Sequence, residues 1–334
     1  MTGNINIESF TESIFKTSLT QEFNELAIEL FHHQSVENKV YAAYLENLGT
    51  NTLHIRNLDQ IPFLPIEFFK SHKIVCGDFK EEKIFYSSGT SGMQASRHYI
   101  ASLDLYRRSF LNAFRIFYGS PETYTILGLL PSYMEREGSS LIFMVKALME
   151  AGGSPDNGFF LDDHDHLAEI LRSLSDGGRP AILIGVSFAL LDFAERYQFP
   201  LGQNTILMET GGMKGRREEI TREDLHQQLC DSFRINTVHS EYGMTELLSQ
   251  AYSKEKGRFY PPPWMKILIR DIQDPFTYLP EGRSGAINII DLANIHSCAF
   301  IETQDIGRQF PDGSFEVLGR TDASDIRGCS LLLS

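Results

Sequence analysis

The chain has 334 residues, 42% hydrophobic and 22% charged, and a formal net charge of -14. Those proportions belong to a folded globular protein, long enough for one large α/β domain with a subdomain or for two domains, and they exclude a disordered or fibrous chain. The acidic balance repels nucleic-acid backbones and anionic membranes, so nucleic acid is not an expected partner, although a local nucleotide site is compatible with it.

Apolar residues recur at helical spacing over residues 9–16, 21–33 and 38–48, the last with Tyr41, Tyr44, Leu45 and Leu48 on one face. A turn between Pro62 and Pro65 and another short helix follow. Residues 1–80 therefore read as a helical segment packed on a main domain. From residue 81 the pattern changes. Strands are expected over 83–86, 124–130, 181–186, 205–208 and 235–239, and helices over 139–151, 187–197 and 222–233. Such alternation implies a parallel sheet with crossover helices, and ligands then sit beyond the carboxyl ends of the strands. Two polar, glycine-containing segments, 209–214 and 240–246, fall at those ends. After Pro261-Pro262-Pro263 the pattern is all strand, over 265–270, 285–291, 298–303 and 314–318, with a turn at Pro311-Asp312-Gly313. The expected organisation is an α/β core over residues 81–260 and a small β subdomain with a tail over 261–334.

Cys76, Cys230, Cys298 and Cys329 are far apart and form no C-x-x-C pair, which argues against a zinc ribbon or a disulfide framework and suits free thiols in a reducing cytoplasm. The polar start lacks the basic and apolar regions of a signal peptide. No apolar run approaches the roughly 20 residues of a membrane span. The expected location is cytoplasmic.

Ser87-Ser88-Gly89-Thr90-Ser91-Gly92 is the sharpest motif. Six small residues directly after a strand offer backbone N–H groups and four hydroxyls, and the glycines let the chain approach an anion closely. A phosphate nest explains this density of hydroxyls better than a flexible turn does; the P-loop spacing is absent. Tyr242-Gly243-Met244-Thr245-Glu246 adds an aromatic ring for a base, a hydroxyl for a phosphate and a carboxylate for Mg²⁺. In Thr303-Gln304-Asp305-Ile306-Gly307 and Gly319-Arg320-Thr321-Asp322, an Asp can accept from ribose hydroxyls and an Arg adds charge beside them.

In order and rough spacing this set resembles the nucleotide motifs of the adenylate-forming superfamily (acyl-CoA synthetases, peptide-synthetase adenylation domains and luciferases). Within it the chain looks most like the acyl-protein synthetase (LuxE) branch, related to phenylacetate–CoA ligases. Leu130-Pro131-Ser132, Gly138-Ser139-Ser140, Thr210-Gly211-Gly212-Met213-Lys214 and Asp325-Ile326-Arg327-Gly328-Cys329 support the resemblance, which runs from about Ile61 onward. It implies the large N-terminal domain of that superfamily, with parallel sheets, flanking helices and a small β subdomain. It also implies ATP and Mg²⁺ as cofactors and activation of a carboxylic acid, fatty in this branch, as acyl-AMP before transfer to a thiol. Residues 81–260 would then bind nucleotide and acyl group.

Carried over by position, Ser87 to Gly92 would cradle the β- and γ-phosphates. Gly211 and Gly212 would let the backbone pass close to adenine, Tyr242 would stack near it, and Gly243 belongs to the same loop. Thr245 would touch the α-phosphate, Glu246 would ligate Mg²⁺, and Asp305, with Arg320 nearby, would hold the ribose. Larger relatives continue into a lid domain with a catalytic lysine. This chain ends shortly after the point where that lid would begin, so the lid is expected to be absent. Met93-Gln94-Ala95-Ser96-Arg97 stands where the usual lysine would follow the phosphate loop, leaving Lys214, Arg97 or Arg320 to supply the cation. Cys329 matches the cysteine expected to carry the acyl group near the end of an acyl-protein synthetase, although Leu331-Leu332-Leu333 equally allows a last strand with Cys329 as a small filler. The resemblance also implies an acyl-accepting reductase or carrier as partner. A coenzyme A ligase and a non-catalytic nucleotide-binding scaffold are the alternatives.

Three other features read as structural. Asp162-Asp163-His164-Asp165-His166 suits a solvated loop leading into a helix capped by Asp. His32, His33 and His72 suit surface or capping positions. Ser187, one glycine short of a nucleophile elbow in Gly185-Val186-Ser187-Phe188-Ala189, suits a helix cap, so a Ser-His-Asp hydrolase has little support.

Overall fold

The computed structural model describes residues 5–17, 20–87, 94–130, 138–161, 163–211, 217, 218 and 220–321. These begin with helices α1 (Ile7–Lys16), α2 (Thr20–Glu37) and α3 (Lys39–Asn47), the two-residue strand β1 (Leu64–Pro65) and helix α4 (Phe68–Ser71). Next come the hairpin strands β2 (Lys83–Tyr86) and β3 (Arg97–Ile100), then α5 (Leu103–Tyr118), β4 (Thr125–Leu129), α6 (Ser140–Gly152), β5 (Gly158–Phe159) and α7 (His164–Asp176). The crossover region continues with β6 (Ala181–Val186), α8 (Ser187–Arg196), β7 (Thr205–Thr210), α9 (Arg222–Phe233) and β8 (His239–Tyr242). Strands β9 (Ala251–Ser253), β10 (Arg258–Tyr260), β11 (Met265–Arg270), β12 (Ser284–Asp291), β13 (Phe300–Gln309) and β14 (Phe315–Arg320) complete the order.

Among the described residues twelve strands form one sheet, ordered β11-β12-β13-β14-β10-β9-β8-β7-β6-β4-β5, with β1 on β13; β2 and β3 pair separately. The run β5-β4-β6-β7-β8 is parallel, as the alternation of strand and helix requires. Strands β4 and β6 are buried at every position, the mark of a strand covered on both faces. From β9 onward the main ladder is antiparallel. Strand β13 serves three partners: its first residues pair with β1, its last with β14, and β12 lies along its other edge. The β13/β14 register shifts at Ile306/Gly307, where a Cβ on Gly307 would lie 2.2 Å from the Glu316 carbonyl oxygen. Only glycine lets the two backbones approach that closely.

Local signals start and stop the helices. Asn6, Asn38, Ser102, Ser139, Asp163 and Thr221 each accept a backbone N–H as N-caps of α1, α3, α5, α6, α7 and α9. The cap at Asp163 agrees with the reading of the 162–166 cluster as a helix approach, and no group of three metal-ligating side chains occurs among the described residues. Helix α5, absent from the sequence reading, is strongly amphipathic, burying Leu105, Tyr106, Ser109, Phe110, Ala113, Phe114 and Tyr118 on one face. The strand expected over 235–239 is displaced: β8 begins at His239 and runs to Tyr242. Arg234 closes α9 in the left-handed region, and the Ile235 N–H bonds the Cys230 carbonyl, so residue 235 still belongs to the helix end.

Ser187 also departs from expectation. It is the first residue of α8, yet its hydroxyl does not cap that helix; it donates to the Gly211 carbonyl, with Glu209 Oε2 3.4 Å away. Cys76 and Cys298 are buried, Cys230 is half-buried, and all three are free thiols. No described helix is long and apolar enough to cross a membrane.

The N-terminal helices are fixed to the sheet by buried amides rather than by apolar contact alone. Gln34 donates to the carbonyls of Asn294 and Ile295 and accepts from the Ala299 N–H. Asn38 caps α3 and donates to the Ser297 carbonyl. Beside them, the fully buried Asp291 accepts from the N–H groups of Leu248, Ser249 and Ala293 and from the Ser249 hydroxyl. Removing it leaves three buried N–H groups without a partner, each costing about 1–3 kcal/mol. Asp291→Ala should lower unfolding stability by at least about 3 kcal/mol, read from the midpoint of urea denaturation at constant m-value.

Candidate functional site

The site lies where the parallel strands end. Strand β7 ends at Thr210 and β8 at Tyr242; their register pairs Thr210 with Glu241, and β9 places Tyr252 on the other side of Glu241. Tyr242 is buried with its ring edge-on to Phe315 and tilted against Phe259. Its hydroxyl donates to Asp305 Oδ2 at 2.7 Å. Asp305 in turn pairs across the β13/β14 ladder with Arg320, whose Nε lies 3.5 Å from Oδ1. Three residues singled out in the sequence thus meet, although 63 positions separate the first two. The Thr321 hydroxyl and N–H both bond the Gln304 carbonyl, which closes this corner.

The segment after Tyr242 is held from outside. His98 Nδ1 lies 2.8 Å from the Thr245 carbonyl oxygen, which makes that nitrogen the protonated one. Asn294 donates to the Glu246 carbonyl at 2.7 Å, and Asp291 holds residues 248 and 249 as described. The β2–β3 hairpin supplies His98 and also carries Ser87, whose Oγ accepts the Ser96 N–H while its own N–H bonds the Ser96 carbonyl. Ser87 is therefore fixed at the mouth of the hairpin and brought to the Thr245–Glu246 segment. Ser88, Gly89, Thr90, Ser91 and Gly92 lie outside the described residues, as do Gly212, Lys214 and Cys329. Gly211 is described, with φ +69 and its carbonyl engaged by Ser187. On β3, Arg97 has its Nε buried without a hydrogen-bond partner among the described residues.

Charge at the site is set by burial. Burial pushes the Glu246 carboxyl above its ordinary range, opposed by a hydrogen bond with Ser96 and by Arg320 and Lys70. Glu241, which accepts from the Thr210 hydroxyl, is pushed up to about 7 by burial and by the negative Glu209; the Thr210 bond only partly opposes this. Glu209 differs. Burial again disfavours its charge, but His226, Arg222 and Ser240 together hold it below the ordinary range. Sequence reading found none of His98, Glu241, Asp291 or Asn294. They stand between the motifs, and nothing local marks a buried polar residue. Gly243 has a steric role: a Cβ there would lie 2.5 Å from Glu241 Oε1, so the glycine makes room for that carboxyl.

The profile of the acyl-protein synthetase (LuxE) family matches residues 149–334, more than half of the chain. The chain belongs to that family. The match includes Gly211, Tyr242 to Glu246, Asp305, Arg320 and Cys329, and leaves the Ser87–Gly92 loop outside. Among solved structures the fold is that of the adenylate-forming ligases. A 2-hydroxyisobutyryl-CoA ligase in a postadenylation state, bound to 2-HIB-AMP, superposes with a TM-score of 0.65 at 15% identity over 92% of this chain and 69% of its own. ATP-bound MatB from Rhodopseudomonas palustris gives 0.53 at 17% identity, over 71% and 47%. MenE from Bacillus subtilis, with ATP and magnesium ion, gives 0.51 at 18%, over 72% and 50%. The LuxE-family chain spans about half the length of MatB and MenE. No curated protein sequence matches it.

The His98 contact gives a pH signature. Burial lowers its pKa from 6.5 to about 4, so the folded state resists protonation that the unfolded chain accepts. This part of the stability is complete above pH 6.5 and is lost as pH falls towards 4, about 3 kcal/mol in all. His98→Gln, which keeps a donor for Thr245, should show a shallower fall of unfolding stability over that interval than the wild type does.

Proposed function

We propose that the protein activates a carboxylic acid, a fatty acid in the first instance, with ATP and passes the acyl group to a thiol. The observation that carries this reading is the meeting of Tyr242, Asp305 and Arg320 at the carboxyl ends of β7 and β8, beside the hairpin that presents Ser87. Adenosine would lie over this corner, with Tyr242 and the Gly211–Gly212 backbone against adenine and Asp305 accepting from the ribose hydroxyls. Residues Ser87 to Gly92 would cradle the outer phosphates and Thr245 would bond the α-phosphate.

Glu246 suits Mg²⁺: a buried carboxylate without a full counter-charge is stabilised by a cation, and this metal commonly takes one protein carboxylate together with substrate phosphates. Bound there, Mg²⁺ would neutralise the charge of the phosphates. The acid's carboxylate oxygen attacks the α-phosphorus, the bond to the bridging oxygen breaks, and pyrophosphate departs with that electron pair. A thiolate then attacks the acyl carbon and AMP leaves. Cys329 is the proposed first acceptor, with transfer onward to a reductase or carrier.

Of the cations considered for the attack step, Arg320 is already paired with Asp305 and Gln304, whereas Arg97 leaves the phosphate loop with Nε unpartnered. We assign that part to Arg97, with Lys214 as the second candidate cation. The acyl chain would enter between the sheet and helices α5 and α6, where Phe114, Ile126, Met144, Leu148, Ile182, Ile184, Met208 and Tyr252 line a void with room for about one water molecule and would have to part to admit it. Two flexible methionines allow the width of the void to adapt.

Incubation with Mg-ATP and a panel of fatty and aromatic acids, without coenzyme A, tests the transfer by intact-protein mass. A hydroxylamine-labile adduct absent from Cys329→Ser supports the reading. Pyrophosphate release without an adduct moves the acceptor to coenzyme A or a carrier thiol, and absence of both leaves a nucleotide-binding scaffold. Arg97→Ala should slow pyrophosphate release by about 100- to 1000-fold with little change in melting temperature. An unchanged rate removes Arg97 from the mechanism.

A further inference from the structure

The lining of the apolar cavity carries one polar side-chain atom, the Tyr252 hydroxyl, and Tyr252 belongs to a polar row on the sheet. Thr210, Glu241 and Tyr252 are lateral neighbours on adjacent strands, so their side chains share one face of the sheet. Met208 shares it by alternation along β7, and Ile184, Ile182 and Ile126 continue it across β6 and β4 through the ladder register. This is the face that α5 and α6 cover with Phe114, Met144 and Leu148. Of this row only Tyr252 lines the cavity; Glu241 and Thr210 stand beside it on the sheet, at the strand ends that face the nucleotide corner.

Two details of this row point to a ligand. The Tyr252 hydroxyl is buried and has no hydrogen-bond partner among the described residues, and Tyr252 lines the cavity. An unsatisfied buried hydroxyl costs about 1–3 kcal/mol, and phenylalanine would fill the same apolar wall without that cost. The carboxyl of Glu241, the cross-strand neighbour of Tyr252, lies in the same buried row, and Gly243 is kept free of a side chain where that carboxyl stands. A plain alkyl chain leaves the Tyr252 hydroxyl unpaired and offers nothing to the Glu241 oxygen that Thr210 does not already engage.

Resting on the acyl-activating reading above, we propose that Glu241 and Tyr252 recognise a hydroxyl group on the acyl chain close to its carboxyl end, so that the preferred substrate is a hydroxylated aliphatic acid. The chemistry favours hydroxyl over other substituents. A hydroxyl donates one hydrogen bond, which Glu241 accepts, and accepts another, which Tyr252 donates. An ammonium group has no lone pair and would leave the Tyr252 proton unpartnered. Above about pH 7, where Glu241 is ionised, a ketone has no proton for the carboxylate. The position near the carboxyl end follows from the polar row lying next to Gly211 and Tyr242, while the wall beyond it is aliphatic.

The test compares decanoate with 3-hydroxydecanoate on the full chain, by calorimetric binding and, separately, by pyrophosphate release with Mg-ATP. The expected result is binding of the hydroxy acid at least about tenfold tighter than decanoate. That ratio should fall to near one in both Tyr252→Phe and Glu241→Gln. A purely structural role for the tyrosine hydroxyl would lower the melting temperature of Tyr252→Phe without changing the ratio; recognition predicts an unchanged or raised melting temperature and a lost ratio. Equal binding of the two acids, or a ratio that survives both substitutions, overturns the proposal. Preferential binding without pyrophosphate would uphold recognition and defeat adenylation. Pyrophosphate released equally well with both acids would defeat recognition and uphold adenylation. If neither acid binds or reacts, both readings fall.

Discussion

The site depends on one buried turn, residues 291–299, that makes no claim on a ligand itself. Asp291 gathers three N–H groups and a hydroxyl, Asn294 ties down the Glu246 carbonyl, and Gln34 and Asn38 secure the turn from the other side. Each of these polar groups would be costly to bury alone, so each contact makes the next one necessary. The helices at the N-terminus, the antiparallel strands and the segment 243–249 are thereby set relative to one another by hydrogen-bond geometry. Apolar packing around them supplies stability without specifying position to the same degree. Asp291 is fully buried, and that burial raises its carboxyl despite all these donors.

Much of the fold was legible because period and composition are local. The fully buried runs at 125–129 and 181–186, and the alternation of strand and helix, announced a parallel sheet. Helix α5 also carries local signals, with Ser102 before it, Gly119 after it and a clean apolar face. The displaced β8 was less legible. Ile235 and Val238 fit a strand by propensity, and only the left-handed closure at Arg234 shows that the helix is still ending there. How the antiparallel strands would join the parallel ones through β8 and β9 is not written in any local pattern.

For the site, the sequence named Tyr242, Asp305 and Arg320 through resemblance, and the sheet brings them within bonding distance. It could not name His98, Asn294 or Asp291, because a polar residue becomes a support only through what folds over it. Ser187 illustrates the same limit. A serine that opens a helix is usually its cap, yet here its hydroxyl fixes the Gly211 carbonyl from across the sheet.

Gly243 has a consequence for how this sequence can drift. Its backbone is not in the left-handed region, so the conformation alone would admit alanine. What resists a side chain is the carboxyl two residues earlier, 2.5 Å from where the Cβ would stand, with Gln250 Cγ at 3.2 Å behind it. The constraint therefore belongs to the neighbours rather than to the backbone. Alanine at 243 would displace the Glu241 carboxyl from its place beside Thr210, so its cost is the cost of re-seating a buried carboxyl. Exchange of Glu241 for a small residue would relieve the closest of these contacts, and the two positions are coupled in how they can vary.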